Sequence, residues 1–204
     1  RLLDAGCGTG ATMRHFHSAL PFFDCVGMDV DEAACHVARH KSGSPTCAAS
    51  VNQLPFCDAS FDAIISADVL CHSGVDVEAA LASFHRTLRP GGVLVLSLPA
   101  YQWMMSYHDH AVSTVRRFNR TQLRSLLKSS GYSEIRTTYW NTLLFPVMVL
   151  RRKLGSQAGS SDVQPIAAPI DAIFRGIMWV ENRLLKWGMT LPFGGSVLVI
   201  AKRR

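Results

Sequence analysis

The chain has 204 residues, of which 48% are hydrophobic and 18% are charged, and its net charge is +6. This length suits one globular domain around a single core, and the composition excludes an intrinsically disordered chain. The positive charge permits contact with nucleic acid or anionic lipid, but no run of about five like charges forms a basic tail. The first residue is Arg1 and not Met, so we expect that the natural N-terminus precedes it.

The cysteines and histidines give no pattern of cross-links or metal ligands. All six cysteines lie in the first part of the chain, and none forms a Cys-x-x-Cys pair. This pattern is typical of reduced thiols in a cytoplasmic protein. The eight histidines lack acidic or thiol partners at ligand spacing, so we predict that the protein binds no metal.

In the first half of the chain, short apolar runs alternate with segments of helical periodicity. Strands are predicted at residues 1–5, 25–30, 61–67 and 93–98. Helices are predicted at residues 11–20, 32–40 and 77–88, with Asp31 as an N-cap and with 89–92 as the turn that ends the third helix. This alternation predicts an α/β fold with a doubly wound, mostly parallel sheet.

The second half is less regular. A helix is predicted at 120–130, a strand at 134–140 and a final strand at 196–201, with an apolar run at 143–150 and a helix at 170–187 between the two strands. We therefore divide the chain into a core at 1–140, a helical insertion or lid at 141–190, and the final strand of the core at 191–204. The longest apolar run is well short of the ~20 residues that a bilayer-spanning helix needs.

A glycine-rich loop follows the first strand. Gly6, Gly8 and Gly10 allow the backbone to turn tightly and to approach a ligand without an intervening Cβ. The second strand ends at Asp29, whose carboxylate can accept hydrogen bonds from ribose hydroxyls. Together these features predict a nucleoside-type cofactor at the carboxyl-terminal edge of the sheet.

Two cofactors fit this loop. Gly6, Gly8 and Ala11 satisfy the looser dinucleotide pattern G-x-G-x-x-A, which keeps an NAD-dependent oxidoreductase as an alternative. Asp4 favours a different ligand, because a carboxylate before the glycines would repel a pyrophosphate but could approach a cationic amino-acid group. The additional Gly10 points in the same direction.

The segment Asp4-Ala5-Gly6-Cys7-Gly8-Thr9-Gly10 resembles the first motif of class I S-adenosylmethionine-dependent methyltransferases, and Gly27-Met28-Asp29-Val30-Asp31 resembles their second. Three later segments are similar to further motifs of that family: Leu54-Pro55-Phe56 with Ser60-Phe61-Asp62, Ala67-Asp68-Val69-Leu70-Cys71-His72, and Leu88-Arg89-Pro90-Gly91-Gly92. The resemblance is closest to the small-molecule branch that includes quinone-biosynthesis enzymes, and it is much weaker over 141–195.

This resemblance implies a Rossmann-like sheet with an antiparallel C-terminal strand and S-adenosylmethionine as the cofactor. The candidate cofactor-binding residues are Asp4, Gly6, Cys7, Gly8, Gly10, Asp29, Val30, Ser50, Val51 and Ala67. The resemblance implies that Asp29 holds the ribose and that Val30 packs on the adenine. Family members often carry Asp at the position of Ser50, so the adenine contact there departs from the family pattern.

Methyl transfer needs no covalent protein nucleophile, but a hydroxyl or acidic-carbon acceptor benefits from a general base. His72, just after the predicted strand at 61–67, is the first catalytic candidate, and a histidine that only packs or caps is the alternative. His108 and Asp109 are further catalytic candidates. The candidate substrate-binding residues follow the predicted strand at 93–98: Tyr101, Trp103, Tyr107, Arg116 and Arg117. A lid held by ordinary salt bridges would explain the same cluster.

In the predicted helix at 170–187, apolar residues recur at helical spacing, and Trp179 and Trp187 accompany basic residues. This pattern suits an interfacial helix or a lid over a lipidic acceptor, although such a stripe also packs on a protein's own core.

From the sequence we predict a methyltransferase that acts on O or C of a small, hydrophobic acceptor, either lipidic or aromatic. Nucleic acid is disfavoured as the acceptor, because Ser66-Ala67-Asp68-Val69 stands where base-amine methyltransferases carry Asn-Pro-Pro-Tyr. Peripheral contact with a membrane is compatible with the predicted cytoplasmic location. An NAD-dependent oxidoreductase and a non-catalytic S-adenosylmethionine-binding protein are the alternatives.

Overall fold

The computed structural model describes residues 1–19, 23–153 and 168–204, and at 108, 151–153 and 168–170 it describes the backbone alone. Seven strands lie in the described residues: β1 (Leu2–Ala5), β2 (Cys25–Asp29), β3 (Thr46–Ala48), β4 (Phe61–Ala67), β5 (Leu88–Pro99), β6 (Tyr132–Trp140) and β7 (Ser196–Arg203). They form one sheet.

The helices of the same ranges are α1 (Ala11–Ala19), α2 (Glu32–Ser42), α3 (Val77–Thr87), α4 (Tyr107–Ala111), α5 (Arg120–Ser129), α6 (Phe145–Lys153) and α7 (Ala168–Lys186), with a short 3-10 turn at Gln102–Met104. Asp31 caps α2 as predicted, because its side chain accepts hydrogen bonds from the backbone amides of Ala33 and Ala34. The sequence at 155–161, which is rich in Gly and Ser, lies outside the described residues.

The strand order in the sheet is β3-β2-β1-β4-β5-β7-β6. The first five strands of this order are parallel to one another, and β7 is antiparallel to both of its neighbours, β5 and β6. The predicted fold class is therefore confirmed: a doubly wound, Rossmann-like, mostly parallel sheet with an antiparallel C-terminal strand. Because β7 pairs with both β5 and β6, residues after 191 complete the sheet that residues 1–140 begin. The boundaries of the predicted insertion stay a prediction.

Two local expectations were wrong. The short strand β3, at Thr46–Ala48, was not predicted, because three half-exposed residues at a sheet edge carry no measurable periodicity. Residues 89–92 were predicted as a turn but lie within β5. In the pairing of β5 with β4, Leu88 lies opposite Phe61 and Val93 lies opposite Ala63. Residues 89–92 therefore form a bulge opposite the single residue Asp62.

Apolar residues on both faces of the sheet form two buried clusters. Leu3 and Ile64 face the larger cluster, which α3 and α5 cover through residues such as Phe84. Their neighbours Leu2 and Ile65 face the smaller cluster beneath α1 and α2. Since successive strand residues point to opposite faces, this alternation buries β1 and β4 on both sides. The carboxyl ends of these strands are thereby left as the open edge.

After β6 the chain leaves the sheet and forms α6 and α7. Glu181, in the middle of α7, is fully buried, and its two carboxylate oxygens accept hydrogen bonds from the backbone amides of Thr142 and Leu143, each 3.1 Å long. These amides immediately precede α6, so one side chain fixes α7 to the start of α6. No helix among the described residues is long and apolar enough to cross a bilayer.

Candidate functional site

The glycine loop turns directly at the end of β1. The backbone amides of Gly6 and Cys7 both donate to the carbonyl of Met28 on β2, at 2.7 and 2.9 Å. Gly6 has a φ of +91°, and a Cβ on it would lie 2.1 Å from Cγ2 of Val69. Only glycine fits this position, both for its backbone conformation and for the space available.

Asp29 ties the end of β2 to this loop. Its Oδ2 accepts a hydrogen bond from the amide of Gly8 at 2.8 Å, and its Oδ1 accepts one from the amide of Asp31 at 3.1 Å. A carboxylate offers about four acceptor positions, so both oxygens keep capacity for further donors such as hydroxyl groups. A Cβ on Gly8 would meet no heavy atom within 4 Å, which leaves the loop's backbone open to a ligand.

A cavity of about 520 Å³ opens between this loop and the ends of β2 and β4. Eight of the predicted site residues line it: Gly6, Gly8, Asp29, Val30, Ser50, Val51, Ala67 and His72. A cavity of this size suits a nucleoside-sized ligand, and apolar walls with a few polar groups are typical of cofactor sites. The structure therefore brings these eight predicted residues together around one cavity.

Three predicted cofactor residues do not line the cavity. Gly10 lies behind the loop, where a Cβ would be 2.7 Å from Cα of Ala38, so its glycine lets the start of α1 approach α2. Cys7 is buried in the smaller cluster, and burial raises the pKa of its thiol to about 12. The third residue is Asp4.

Asp4 is nearly fully buried under the loop, and its Oδ2 makes no hydrogen bond within the described part of the chain. Burial, and then the negative charge of Asp29, raise the pKa of the Asp4 carboxyl to about 7. Asp4 therefore holds an unsatisfied carboxylate oxygen beneath the glycine loop, and its predicted contact with a cationic ligand group stays a prediction.

Sequence reasoning missed Asp68, which lines the cavity directly after β4. Its φ is +55°, a conformation that favours glycine or asparagine. Burial raises the pKa of its carboxyl, while His72 and Arg117 oppose that rise. Asp68 could have been predicted from the sequence, because it lies within the Ala67–His72 motif. Only the first and last residues of that motif were predicted as site residues.

His72 lies at the cavity wall, on the turn after β4. Its amide donates to the carbonyl of Val69 at 3.1 Å, and its backbone pairs with Thr114 in an isolated bridge. These backbone contacts fix the residue while its ring remains half-buried beside Asp68. For His108, the second predicted base, the structure describes only the backbone, in α4.

Asp109 does not line the cavity. Its Oδ1 accepts from Nη2 of Arg117 at 2.5 Å, and its Oδ2 accepts from the amide and the hydroxyl of Ser106 at 2.7 and 2.8 Å. Although burial opposes ionisation, these donors hold the pKa of Asp109 below its ordinary value. This arrangement corrects the expectation of a catalytic Asp109 and of a substrate-binding Arg117, because the two side chains pair with each other in the interior.

Arg116 is also engaged with the protein. Its Nη1 donates to the carbonyls of Val75 and Leu70, at 2.7 and 3.4 Å. It thereby joins the two ends of the segment 70–75, which carries His72. We correct its predicted contact with substrate to a positioning role for this segment.

The aromatic residues after β5 form a contiguous group with Tyr139, Phe145 and Phe193. Tyr101 stacks on Trp103 and Tyr139, with ring centroids 5.7 and 5.2 Å apart, and Phe145 lies 5.5 Å from Tyr101. Burial, and then a hydrogen bond with Tyr139, raise the pKa of the Tyr101 hydroxyl. Trp103 is largely exposed at the end of the stack, and Tyr107 is exposed on α4 outside it. The sequence prediction thus found two of the five residues of this aromatic group.

Among the described residues, no set of three or more His, Cys, Asp or Glu side chains could hold a metal ion.

Comparison with known proteins identifies domains that are similar to this one. Residues 3–96 match the model of a methyltransferase domain. The chain is 36% identical over 98 residues to malonyl-(acyl-carrier protein) O-methyltransferase of Dechloromonas aromatica, covering 47% of this chain and 35% of that protein. It is 32% identical over 111 residues to 24-methylenesterol C-methyltransferase 2 of Oryza sativa, covering 51% of this chain and 29% of that protein.

Over residues 3–96 the chain is therefore similar to methyltransferases. A solved S-adenosylmethionine-dependent methyltransferase from Thermotoga maritima has the same fold as the whole chain, with a TM-score of 0.65 at 18% identity, over 100% of this chain and 82% of the other. The chain spans about a third of the length of the two curated methyltransferases. Its closeness to quinone-biosynthesis methyltransferases stays a prediction.

Proposed function

We propose that this protein transfers a methyl group from S-adenosylmethionine to O or C of a small, hydrophobic acceptor. The observation that carries the proposal is the connection of the glycine loop to Asp29, through the 2.8 Å hydrogen bond from Gly8, at the mouth of the 520 Å³ cavity. This connection joins a backbone-lined surface to a carboxylate that has spare acceptor capacity.

The residues present fit the donor. Asp29 accepts from the ribose hydroxyls, and the backbone of Gly6 and Gly8 lies against the donor because no Cβ intervenes. Val30 and Val51 provide apolar contacts to the adenine, and the hydroxyl of Ser50 replaces the carboxylate that relatives often carry there. The carboxyl of Asp4 lies beneath the glycine loop, and in its ionised form it attracts the cationic amino-acid end from behind the loop.

S-adenosylmethionine supplies a methyl group on a positively charged sulfur, so the protein's task is to position the acceptor and to exclude water. His72, at the cavity wall, accepts the proton of a hydroxyl or acidic-carbon acceptor. Asp68 lies on the same turn, where His72 and Arg117 oppose the rise that burial causes in the pKa of its carboxyl.

The aromatic group of Tyr101, Trp103, Tyr139, Phe145 and Phe193 is the proposed wall of the acceptor site. Tyr101 and Trp103 follow β5. Tyr139 and Phe145 pack beside Tyr101, and Phe193 packs beside Phe145. The group therefore lies at the carboxyl-terminal edge of the sheet, as the donor cavity does. Stacked and half-exposed rings favour a planar or lipidic acceptor. The names of the two relatives, one an O-methyltransferase and one a sterol C-methyltransferase, support both acceptor atoms and a hydrophobic acceptor.

Neither alternative function is favoured by the comparisons. The test is calorimetric titration of the purified protein with S-adenosylhomocysteine, with NADH as the control ligand. We expect micromolar affinity for S-adenosylhomocysteine alone, followed by turnover when quinols, phenols and fatty acids are screened as acceptors. Binding of NADH instead would overturn the proposal, and donor binding without turnover on any acceptor would favour the non-catalytic alternative.

We also propose that the protein is cytoplasmic and that its helix α7 contacts an anionic membrane surface. Arg183 stacks on Trp179 and on Trp187, with its guanidinium carbon 5.5 and 6.0 Å from the ring centroids. The two tryptophans are 63% and 72% exposed. Interfacial helices combine exposed tryptophans with cationic residues, because the rings enter the headgroup region while the cations meet lipid phosphates.

Sedimentation with phosphatidylglycerol vesicles and with neutral phosphatidylcholine vesicles tests this contact. Arg183→Glu should weaken binding to the anionic vesicles about fivefold or more. Arg39→Glu, at an exposed position on α2, makes the same change of net charge and should have a smaller effect. Equal losses in the two variants, or no binding by the unmodified protein, would refute the contact.

A further inference from the structure

A second cavity, of about 310 Å³, lies beside the edge strand β6 and has no part in the proposed methyl transfer. Its walls come from α5, β6, β7 and the segment that ends α7. Three of its lining residues are arginines: Arg120, Arg124 and Arg136. No Asp or Glu is among the residues that line it.

The fold brings these arginines together from separate elements. Arg120 and Arg124 are one turn apart on α5 and therefore share a helix face. Arg136 and Thr138 are two residues apart on β6 and share a sheet face. The strand register places Arg136 opposite Ile200 and Thr138 opposite Leu198. The floor of the cavity is therefore half polar and half apolar.

Two of the guanidiniums are held in place by the protein. Nε of Arg120 donates to the hydroxyl of Thr137 at 3.1 Å, and the same guanidinium lies over the ring of Tyr139, 5.8 Å from its centroid. Nη2 of Arg124 donates to the carbonyl of Ile135 at 3.3 Å. Each contact uses only part of a five-donor group, so the remaining N–H groups keep their capacity to bind a ligand.

The charge of this cluster is not balanced by the protein. Over the ranges that the structure describes, Arg120, Arg124 and Arg136 form no ion pair. Other arginines do pair with carboxylates, as Arg86 pairs with Asp58 at 2.7 Å and Arg89 with Asp62 at 2.6 Å. Three like charges around one small cavity repel each other, and a bound anion would remove that repulsion.

We propose that this cavity binds a phosphate group. The planar guanidinium fork matches the geometry of phosphate oxygens, and several arginines from different elements can bind separate oxygens of one group. Leu185, Met189 and Leu198 complete the wall, so the ligand is a phosphate that carries an organic body. A soluble phosphate monoester and a phospholipid headgroup share this chemistry.

The test is calorimetric titration with two probes, inorganic phosphate and a soluble short-chain phosphatidic acid, against sodium chloride at the same ionic strength. We expect saturable binding of phosphate that chloride does not reproduce. Arg136→Gln should raise the dissociation constant about tenfold or more, the effect of losing one charge-assisted donor. Arg39→Gln removes an exposed arginine of α2 and is the matched control, with an expected change of less than about twofold.

The two probes distinguish the sources of the phosphate. Tighter binding of phosphatidic acid that also depends on Arg136 assigns the site to a lipid headgroup, and equal binding assigns it to a soluble phosphate. Absence of saturable binding by both probes, or equal weakening in Arg136→Gln and Arg39→Gln, overturns the proposal. Thermal unfolding without phosphate checks the fold of Arg136→Gln, which should melt no lower than the unmodified protein because a repulsive charge is lost. None of these readouts depends on methyl transfer.

Discussion

Asp109 and Arg117 form an ion pair in the interior, with 2.5 Å between Oδ1 and Nη2 and with 6% and 5% of the two side chains exposed. Asp109→Ala would leave the guanidinium buried without its counter-ion. We expect the free energy of unfolding to fall by about 3–5 kcal/mol, measured by urea denaturation. Asp171→Ala breaks an exposed Arg–Asp pair on α7 and should change stability by less than about 1 kcal/mol. A stable but inactive Asp109→Ala would restore the catalytic role that the sequence predicted.

Gly6 and Gly176 give a matched pair of substitutions with opposite expected signs. In Gly6→Ala the new Cβ meets Val69 at 2.1 Å at a φ of +91°, so we expect a loss of at least about 2 kcal/mol in stability. In Gly176→Ala the Cβ meets nothing within 4 Å on a helix, and stability should rise by about 0.4–1 kcal/mol. Urea denaturation measures both, and a tolerated Gly6→Ala would show that the loop can move away from Val69.

Asp29→Ala removes the acceptor of the Gly8 and Asp31 amides together with the proposed ribose ligand. We expect the affinity for S-adenosylhomocysteine to fall about tenfold or more while the fold survives. Asp58→Ala removes a carboxylate that pairs with Arg86 away from the cavity and serves as the control. Calorimetry measures the affinity of both variants for S-adenosylhomocysteine. An unchanged affinity in Asp29→Ala would refute the ribose assignment.

His72→Ala tests whether His72 is the proposed general base or only lines the donor cavity. If His72 accepts the acceptor's proton, turnover should fall by about 100- to 10,000-fold with little change in donor affinity. Steady-state kinetics and calorimetry on the same preparation provide the two numbers. A parallel loss of donor affinity would instead assign His72 to the donor pocket.

The raised pKa of Asp4, about 7 against an ordinary 3.8, predicts how stability depends on pH. Between these values the folded state keeps a proton that the unfolded state releases. The stabilisation is therefore complete below about pH 4, declines as the pH rises towards 7, and is constant above that, with a slope of at most about 1.4 kcal/mol per pH unit. Asp4→Asn should lose this slope in urea denaturation across the same range. Parallel profiles of the two proteins would contradict the prediction.

The donor half of the site was predictable because its signals are local. Gly6 and Gly8 follow a buried strand directly, Asp29 ends the next one, and the parallel sheet brings both ends to one edge. The motif also labelled Gly10 and Cys7, whose real contacts are with Ala38 and with the smaller buried cluster. A motif shows which residues are needed in a loop, but it does not separate those that face the ligand from those that support the turn.

The acceptor half was harder to predict, because it depends on contacts between distant segments. Asp109 was predicted as catalytic and Arg117 as substrate-binding, and nothing in their spacing shows that they pair in the interior. Tyr139, Phe145 and Phe193 come from three elements, and only the sheet register and the position of α6 bring them beside Tyr101. The arginine cavity has the same origin, since Arg124 and Arg136 are neighbours only after β6 folds back along α5.

The hydrogen bonds from Thr142 and Leu143 to Glu181 have a consequence for protein engineering. They fix α7 relative to the start of α6 through a contact that does not include the chain between the two helices. Glu181 is therefore the residue of α7 to retain when this helix is redesigned or exchanged, because its carboxylate also satisfies the two backbone amides that precede α6.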